Sequence, residues 1–264
     1  MTETHLRSDG QPDGRDTRWT GHRAERREQV LAAALAVISR DGASVSVAAI
    51  GAEAGMPRSV VYRIFRSRED LDERIRARIL DDLMAALAPA LAPRGTIRGA
   101  IERAASTYAG WVAEHPLLHR FLGTGAQGQP LADSPAVADT RTAVARDLAR
   151  LLDAYAVQFL DGRAAPPGFN LNLAVGMVGL VDGVVNHWAA HPETRSSLDD
   201  LTLFLGDALW GILSAATLRL GLVLDPDQPI GPPPAAPVPA PGPPEFRAPE
   251  PRPVTTPTGG AGRG

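Results

Sequence analysis

The sequence predicts an all-α fold in which a short three-helix unit near the amino terminus precedes a larger helical domain and a disordered proline-rich tail. Apolar residues recur at helical spacing from about Glu25 to about Leu224, and no segment between them alternates as a β-strand does. After Asp225 the composition changes to Pro, Ala and Gly, and such a segment buries too little apolar surface to offset the entropy of ordering it. The predicted arm, three-helix domain, helical domain and tail span residues 1–20, 21–80, 81–224 and 225–264.

The bulk composition excludes several kinds of site. The chain has no cysteine, so disulfides, thiolate metal sites and cysteine nucleophiles are excluded. The formal net charge is −3, so any surface that binds nucleic acid must be local, and all 27 basic residues are arginine, the better phosphate ligand. Residues 1–20 hold no apolar signal segment, and the apolar run Leu173–Val181 is shorter than the ~18 residues of a membrane span. We therefore expect a cytoplasmic protein with no membrane partner.

Periodicity and capping residues mark the first two helices. The first begins near Glu25 and ends at Asp41 and Gly42. Its apolar face consists of Leu31, Ala34, Leu35 and Ile38. Ser46 is a good N-cap for a short second helix, because its hydroxyl oxygen can accept a hydrogen bond from the first turn. That helix directs Val47, Ile50 and Ala54 inward.

The third and fourth helices follow a tight turn at Gly55, a residue that tolerates the left-handed backbone such a turn requires. The third helix runs from about Pro57 to Phe65, with the proline near its first turn. Residues 67–70 fit the capping-box pattern, so Ser67 is expected to open the fourth helix, and Pro89 is expected to stop it.

The rest of the chain predicts five more helices. They span about residues 97–114, 117–122, 137–160, 171–190 and 198–222, with loops at 123–133 and 161–168. The last two are apolar on more than one face, and such a helix must be covered on more than one side.

The segment from Ala52 to Leu71 resembles the signature of the TetR family of transcriptional regulators. The likeness rests on the pair Ala54-Gly55, on Tyr62 placed three residues before Phe65, and on a helix that starts Ser67-Arg68-x-x-Leu71. The likeness is specific over residues 25–75. Beyond them the chain shares only the general architecture, an all-helical domain of suitable length. The resemblance implies a helix-turn-helix DNA-binding domain, a ligand-binding and dimerisation domain, and a homodimeric repressor that a small molecule releases from a double-stranded DNA operator.

The two faces of the third helix predict a DNA-recognition element. Val61, Ile64 and Phe65 share an inner face that can lock the helix onto the first two. On the outer face, Arg58 can make a bidentate contact to guanine and Val60 can meet a thymine methyl group. By the resemblance, Tyr62 donates to a phosphate. The outward residues are Arg58, Ser59, Val60, Tyr62 and Arg63.

Phosphate groups are expected to bind at two further places. The start of the fourth helix offers free N–H groups and the positive end of the helix dipole, flanked by Arg66 and Arg68. Ser46 can bind a phosphate at the start of the second helix. Such contacts position the protein without reading sequence. The family often has a polar or basic residue where Ala48 and Ala49 stand, so specificity is expected to rest on the third helix alone.

The larger domain holds candidates for a dimer seam and for a ligand site. Val178, Val181, Val185, Leu203 and Trp210 are candidates for either the dimer interface or the core of one chain. Small-molecule pockets combine apolar walls with a few polar groups. The ligand candidates are Tyr108, Trp111, Tyr155, Met177, Asp182 and Asn186. Asp182 and Asn186 lie four residues apart and hence on one helix face, where a buried carboxylate would need a partner or a cationic ligand. The alternative is that both face solvent or the dimer seam.

Two other functions compete with DNA binding. The pairs His115 with His119 and His187 with His191 have the i, i+4 spacing of a metal-binding helix, as in a metal-dependent enzyme. No nucleophile–base group or phosphate loop accompanies them, and helix-terminal histidines with favourable dipole contacts are the simpler interpretation. The proline-rich tail could bind aromatic-lined grooves of a partner protein, and a tail without a partner is the simpler interpretation. The sequence thus predicts no enzyme, no catalytic residue, no metal and no cofactor.

Overall fold

The computed structural model describes residues 14–124, 134–159 and 165–231. Within these ranges the chain forms α-helices and no β-strand, so the predicted all-α class is confirmed. The helices are α1 (Gly14–Asp41), α2 (Val47–Glu53), α3 (Arg58–Ile64), α4 (Arg68–Leu91), α5 (Ile97–Glu114), α6 (Pro116–Leu122), α7 (Pro135–Phe159), α8 (Phe169–Ala190) and α9 (Leu198–Leu218).

The first three helices and the start of α4 share one apolar core. Each contributes a side chain that is less than 2% exposed, among them Ile38, Ile50, Val61 and Leu71. The turn between α2 and α3 depends on glycine. A side chain at Gly51 would lie 2.6 Å from the carbonyl oxygen of Met56, and Gly55 has a φ of +65°. A bulkier residue at Gly51 would therefore push α3 away from the core.

Several helix boundaries differ from the sequence prediction, and α9 ends at Leu218 rather than near residue 222. α1 begins at Gly14 rather than near Glu25, so residues 14–20 of the predicted arm are helical. α4 continues past Pro89 to Leu91 instead of stopping at the proline. A proline inside a helix removes one backbone hydrogen bond and its ring crowds the preceding turn. Since α4 runs only two residues beyond Pro89, little helix follows the disruption.

α4 connects the amino-terminal core to the larger helical domain. It packs against α1 on one side and against α5, α6 and α7 on the other, while α7 pairs with α8 and α5 with α9. The buried Arg76 of α4 donates to the Thr124 carbonyl at 2.7 Å and pairs with Glu73 at 2.6 Å. Glu73 in turn accepts from the Ser134 hydroxyl at 3.1 Å and the Ala136 N–H at 3.2 Å. These bonds fix α4 to the end of α6 and the start of α7.

The segment after α9 is attached to the helical domain, which corrects the predicted start of the disordered tail at residue 225. The Ile230 N–H donates to the Gly95 carbonyl at 2.7 Å, just before α5. The Tyr155 hydroxyl donates to the Gly231 carbonyl at 2.9 Å, near the end of α7. Backbone groups paired in this way hold residues 225–231 to the fold. The predicted arm up to residue 13 and the tail from residue 232 lie outside the described residues.

α8 and α9 are long and apolar enough to cross a membrane by length and composition alone. This does not contradict the short apolar run Leu173–Val181, because the length criterion also counts stretches that polar residues interrupt. Core helices of globular proteins meet the same criterion, and both helices contribute buried residues such as Val185 and Leu205. In the most apolar 18-residue stretch of each helix, however, only 22% and 28% of the residues are buried, so both helices keep an uncovered apolar face.

Candidate nucleic-acid interface

The third helix divides its faces as the periodicity predicts. Val61 and Phe65 are 0% and 1% exposed, and Ile64 is half-buried against the core. Arg58, Ser59, Tyr62 and Arg63 are exposed, and Val60 is half-buried. The inner face anchors α3 on α1 and α2, so its polar outer face is available to a partner.

Arg58 and Tyr62 form a stacked pair on this outer face. The Cζ atom of Arg58 lies 5.4 Å from the centre of the Tyr62 ring, within the range of a cation–π contact. Arg58 is the first residue of α3, and the first residues of a recognition helix are those that reach base edges. The ring thus restrains the guanidinium at the position where it can contact a base.

The two predicted serine caps are confirmed. The Ser46 hydroxyl oxygen accepts from the Ala49 N–H at 3.1 Å, and that of Ser67 accepts from the Asp70 N–H at 3.2 Å. Ser46 is exposed, so its own O–H can still donate to a phosphate. Arg66 is exposed as well, and its backbone N–H donates to the Asp70 carboxylate at 3.0 Å.

Arg68 has a structural role that corrects its assignment as a free phosphate ligand. Its Nε donates to both oxygens of Asp72, at 2.8 and 2.9 Å, and its Nη1 donates to the Val45 carbonyl at 2.7 Å. The Asp72 side chain is 2% exposed and that of Arg68 is 20% exposed. Burial raises the pKa of Asp72, and the hydrogen bond from Arg68 opposes that rise. The pair therefore joins α4 to the loop before α2.

A basic groove lies between α1, the end of α3 and the start of α4. It has a volume of about 730 Å³. Five arginines line it, together with one carboxylate and Tyr62: Arg23, Arg27, Arg63, Arg66, Arg74 and Asp70. Sequence reasoning missed Arg23 and Arg27, although their i, i+4 spacing places them on one helix face.

The predicted ligand residues do not form one site. Tyr108 is half-buried on α5, Trp111 and Met177 are 8% and 7% exposed, and Asp182 pairs with Arg141 of α7 at 3.1 Å. Tyr155 lies roughly 21 Å along α7 from Arg141, at 1.5 Å per residue, and bonds the segment after α9. Asn186 is exposed. The assignments of Tyr155 and Asn186 to this site are therefore corrected.

Four side chains instead form a polar cluster that runs from the interior to the surface of the larger domain, with Arg141 51% exposed: Tyr108, His119, Arg141 and Asp182. His119, which was not among the predicted ligand residues, is 7% exposed, and its ring makes no hydrogen bond within the described part of the chain. Burial lowers the pKa of His119, against the smaller opposing effect of the Asp182 charge, and this favours the neutral imidazole. Burial raises the pKa of Tyr108, and the nearby Asp182 raises it further.

The rings of His187 and His191 lie together, 4.3 Å between centres, whereas His115 contacts a tryptophan and His119 is buried. The His115 ring contacts Trp111 at 5.0 Å between centres, and the His191 Nδ1 lies 2.8 Å from the His187 carbonyl oxygen. In the described ranges no group of three or more possible metal ligands occurs. Among the seam candidates, Val185 is fully buried in the core, Leu203 is 66% exposed, and Val178, Val181 and Trp210 are half-buried.

Comparison with known proteins agrees with this arrangement. Residues 30–75 match the family described as bacterial regulatory proteins, tetR family. An uncharacterised HTH-type transcriptional regulator of Mycobacterium tuberculosis is 28% identical over 211 residues, which cover 77% of this chain and 85% of the relative. A tetR-family regulator from Streptomyces coelicolor has the same fold, with a TM-score of 0.56, 23% identity and coverage of 75% and 86% of the two chains. The multidrug binding protein EbrR, crystallised with imidazole, also has this fold, with a TM-score of 0.51 and 21% identity. The match covers 71% of this chain and 94% of EbrR.

Proposed function

Residues 30–75 match the tetR family of bacterial regulatory proteins, and on this premise we propose that the chain is a cytoplasmic, sequence-specific DNA-binding repressor of that family. The observation that carries the proposal is the division of α3. Its inner side is fixed in the core through Val61 and Phe65, while Arg58, Ser59 and Tyr62 face outward. A helix held in this way can enter the major groove and present donors to base edges.

The repressor acts as a homodimer in this proposal. α8 and α9 expose large apolar side chains, namely Leu171, Val175, Leu203, Phe204 and Leu218. Large apolar side chains exposed on two adjacent helices favour an interaction site, and a second copy of the same surface can cover it with two-fold symmetry. Two recognition helices then meet successive turns of one face of the duplex, about 34 Å apart. A sedimentation measurement that finds only monomer at micromolar concentration contradicts this assembly.

Selection of bound sequences from random DNA tests the proposed function. We expect the purified protein to enrich an inverted repeat, because a two-fold dimer places two identical helices on two half-sites. Enrichment of no motif, with binding that does not discriminate sequence, contradicts the function. Enrichment of a single half-site without symmetry contradicts the dimer alone.

A small molecule bound at the polar cluster releases the repressor in this proposal. The neutral His119 ring and the Tyr108 hydroxyl have no hydrogen-bond partner within the described residues, and Arg141 and Asp182 neutralise each other. The fitting ligand is an uncharged molecule that offers hydrogen-bonding groups to His119 and Tyr108. EbrR, a solved structure with the same fold, was crystallised with imidazole, which is consistent with such a ligand.

The bonds of α4 offer a route from this cluster to DNA. His119 lies on α6 and Arg141 on α7, and Arg76 and Glu73 tie the ends of those helices to α4. α4 starts directly after the recognition helix. A ligand that binds more tightly to another placement of α6 and α7 therefore favours another placement of α3. The free energy of DNA binding is then weakened by at most the difference between the ligand's binding free energies for the two placements.

Removal of the Tyr108 hydroxyl tests the location of the ligand. Compounds that raise the melting temperature and weaken operator binding are first found by screening. We expect Tyr108→Phe to weaken their binding by roughly 2- to 13-fold, the loss of one hydrogen bond of about 0.5–1.5 kcal/mol. The exposed control Asn186→Ala should leave it unchanged. Compounds that bind Tyr108→Phe and His119→Gln as tightly as they bind wild type contradict the proposed ligand site.

A further inference from the structure

The basic groove concentrates positive charge that the fold does not neutralise. Several arginines elsewhere have carboxylate partners, as Arg98 has in Glu102 and Asp207. Arg23, Arg27, Arg63 and Arg66 have no side-chain ion pair with any residue that the structure describes. The one carboxylate in the groove, Asp70, is occupied by the Arg66 N–H and by the Arg74 Nε at 3.7 Å. Like charges gathered in a concavity attract a concentrated anion.

The groove is held next to the end of the recognition helix. The Cζ atom of Arg27 lies 5.4 Å from the centre of the Phe65 ring, and Phe65 is a fully buried core residue that ends α3. Arg23 stands one turn earlier on the same face of α1. A planar guanidinium donates two parallel hydrogen bonds to a phosphate, so a partly fixed arginine is a suitable ligand for one.

The position of the groove identifies the anion. Tyr62 and Arg63 line it and also belong to the exposed face of α3. The major groove is about 12 Å wide and an α-helix with its side chains about 10–12 Å, so a helix lying there has phosphates along both flanks. An anion beside α3 is then a phosphodiester group of the DNA backbone.

We propose that the basic groove binds one DNA phosphate per protomer, with Arg23 and Arg27 of α1 as ligands beside Arg63 and Arg66. The proposal rests on the proposed function and adds to it a second element, α1, that contacts DNA. It also divides α3 by role. The first residues, Arg58 and Ser59, read bases, while Tyr62 and Arg63 at the other end contact the backbone.

The salt dependence of DNA binding tests this proposal. The logarithm of the affinity falls with the logarithm of the salt concentration by about 0.9 for each phosphate neutralised. The variant Arg23→Ala/Arg27→Ala should therefore lower the slope by about 0.9 for each protomer bound, or about 2 for a dimer. Affinity falls between 50 and 200 mM salt for both proteins, and the factor by which it falls should be roughly tenfold smaller for the variant than for wild type. Sequence preference should not change, because a phosphate carries no sequence information.

Matched variants separate this effect from others. Arg26→Ala removes an exposed arginine of α1 that does not line the groove, and its slope should equal that of wild type. Arg23→Lys/Arg27→Lys keeps both charges and should restore most of the slope. If Arg27→Ala lowers the melting temperature, Arg23→Glu alone, at an exposed position, should still reduce affinity and slope.

The failures of the two proposals are distinguishable. A double alanine variant whose slope equals those of wild type and Arg26→Ala overturns the phosphate site while wild type still binds its selected sequence. Absence of specific binding by wild type itself overturns the proposed function instead.

Discussion

Arg58→Ala is expected to abolish sequence-specific DNA binding while the protein stays folded. Arg58 is exposed at the first position of α3, and no carboxylate pairs with it among the described residues. A bidentate contact between arginine and guanine contributes about 1–3 kcal/mol of discrimination, and a dimer makes two. The expected loss is about 2–6 kcal/mol, or roughly 30-fold to 10⁴-fold in affinity for the selected sequence. Titration with labelled DNA in a gel shift measures it.

Three comparisons distinguish a loss of base recognition from a general loss of DNA binding. Tyr62→Ala removes the ring on which Arg58 rests and should also abolish operator binding. Arg120→Ala removes an exposed arginine of α6 and should bind as wild type does. Binding to unrelated DNA should fall far less than binding to the selected sequence, because phosphate contacts carry the unspecific part. If both Arg58→Ala and Tyr62→Ala bind unchanged, α3 is not the recognition helix.

Arg68→Met is expected to destabilise the protein by about 3–5 kcal/mol at pH 7. The change leaves the buried Asp72 carboxylate without its two hydrogen bonds, and the uncompensated partner of a buried ion pair carries a penalty of that size. Urea unfolding of wild type and variant measures the difference. Arg74→Met is the matched control, since Arg74 is 55% exposed and 3.7 Å from Asp70, and an exposed pair contributes about 0–1 kcal/mol.

The pH dependence of this loss has a defined sign. Burial raises the pKa of Asp72 above its unfolded value, and removal of Arg68 raises that pKa further. A carboxyl group with a raised folded pKa stabilises the fold below its unfolded pKa, near 3.9, and this stabilisation is lost as the pH rises through the folded pKa. The deficit of Arg68→Met relative to wild type should therefore shrink between pH 7 and pH 4. Asp72→Asn added to Arg68→Met should recover part of the loss at pH 7, and a double variant no more stable than Arg68→Met contradicts the account.

Local features of the sequence were sufficient to predict the recognition unit. Ser46 and Ser67 were predicted as caps because a cap bonds within three residues of its own position. The faces of α3 followed from the spacing of Val61, Ile64 and Phe65. The boundary errors at Gly14 and Pro89 arose at helix ends, where capping and periodic signals compete.

Contacts between distant parts of the chain decided what the sequence did not. Arg68 was expected to bind phosphate because it stands at a helix start, but the fold brings the Val45 carbonyl, 23 residues earlier, within 2.7 Å of it. His119 was assigned to a helix end, and only the packing of α6 places it beside Asp182. Tyr155 was grouped with the ligand residues, and the chain returning after α9 bonds it elsewhere.

The sequence alone determined the helical class, the turn at Gly55 and the outward set of α3, because each depends on residues within a few positions of one another. Tertiary structure alone decided which arginines are neutralised, which polar groups are buried without a partner, and that α1 and α4 frame a basic groove beside α3. Electrostatic interaction and burial depend on distance in space, and a helical chain brings together side chains whose separation in sequence gives no sign of it.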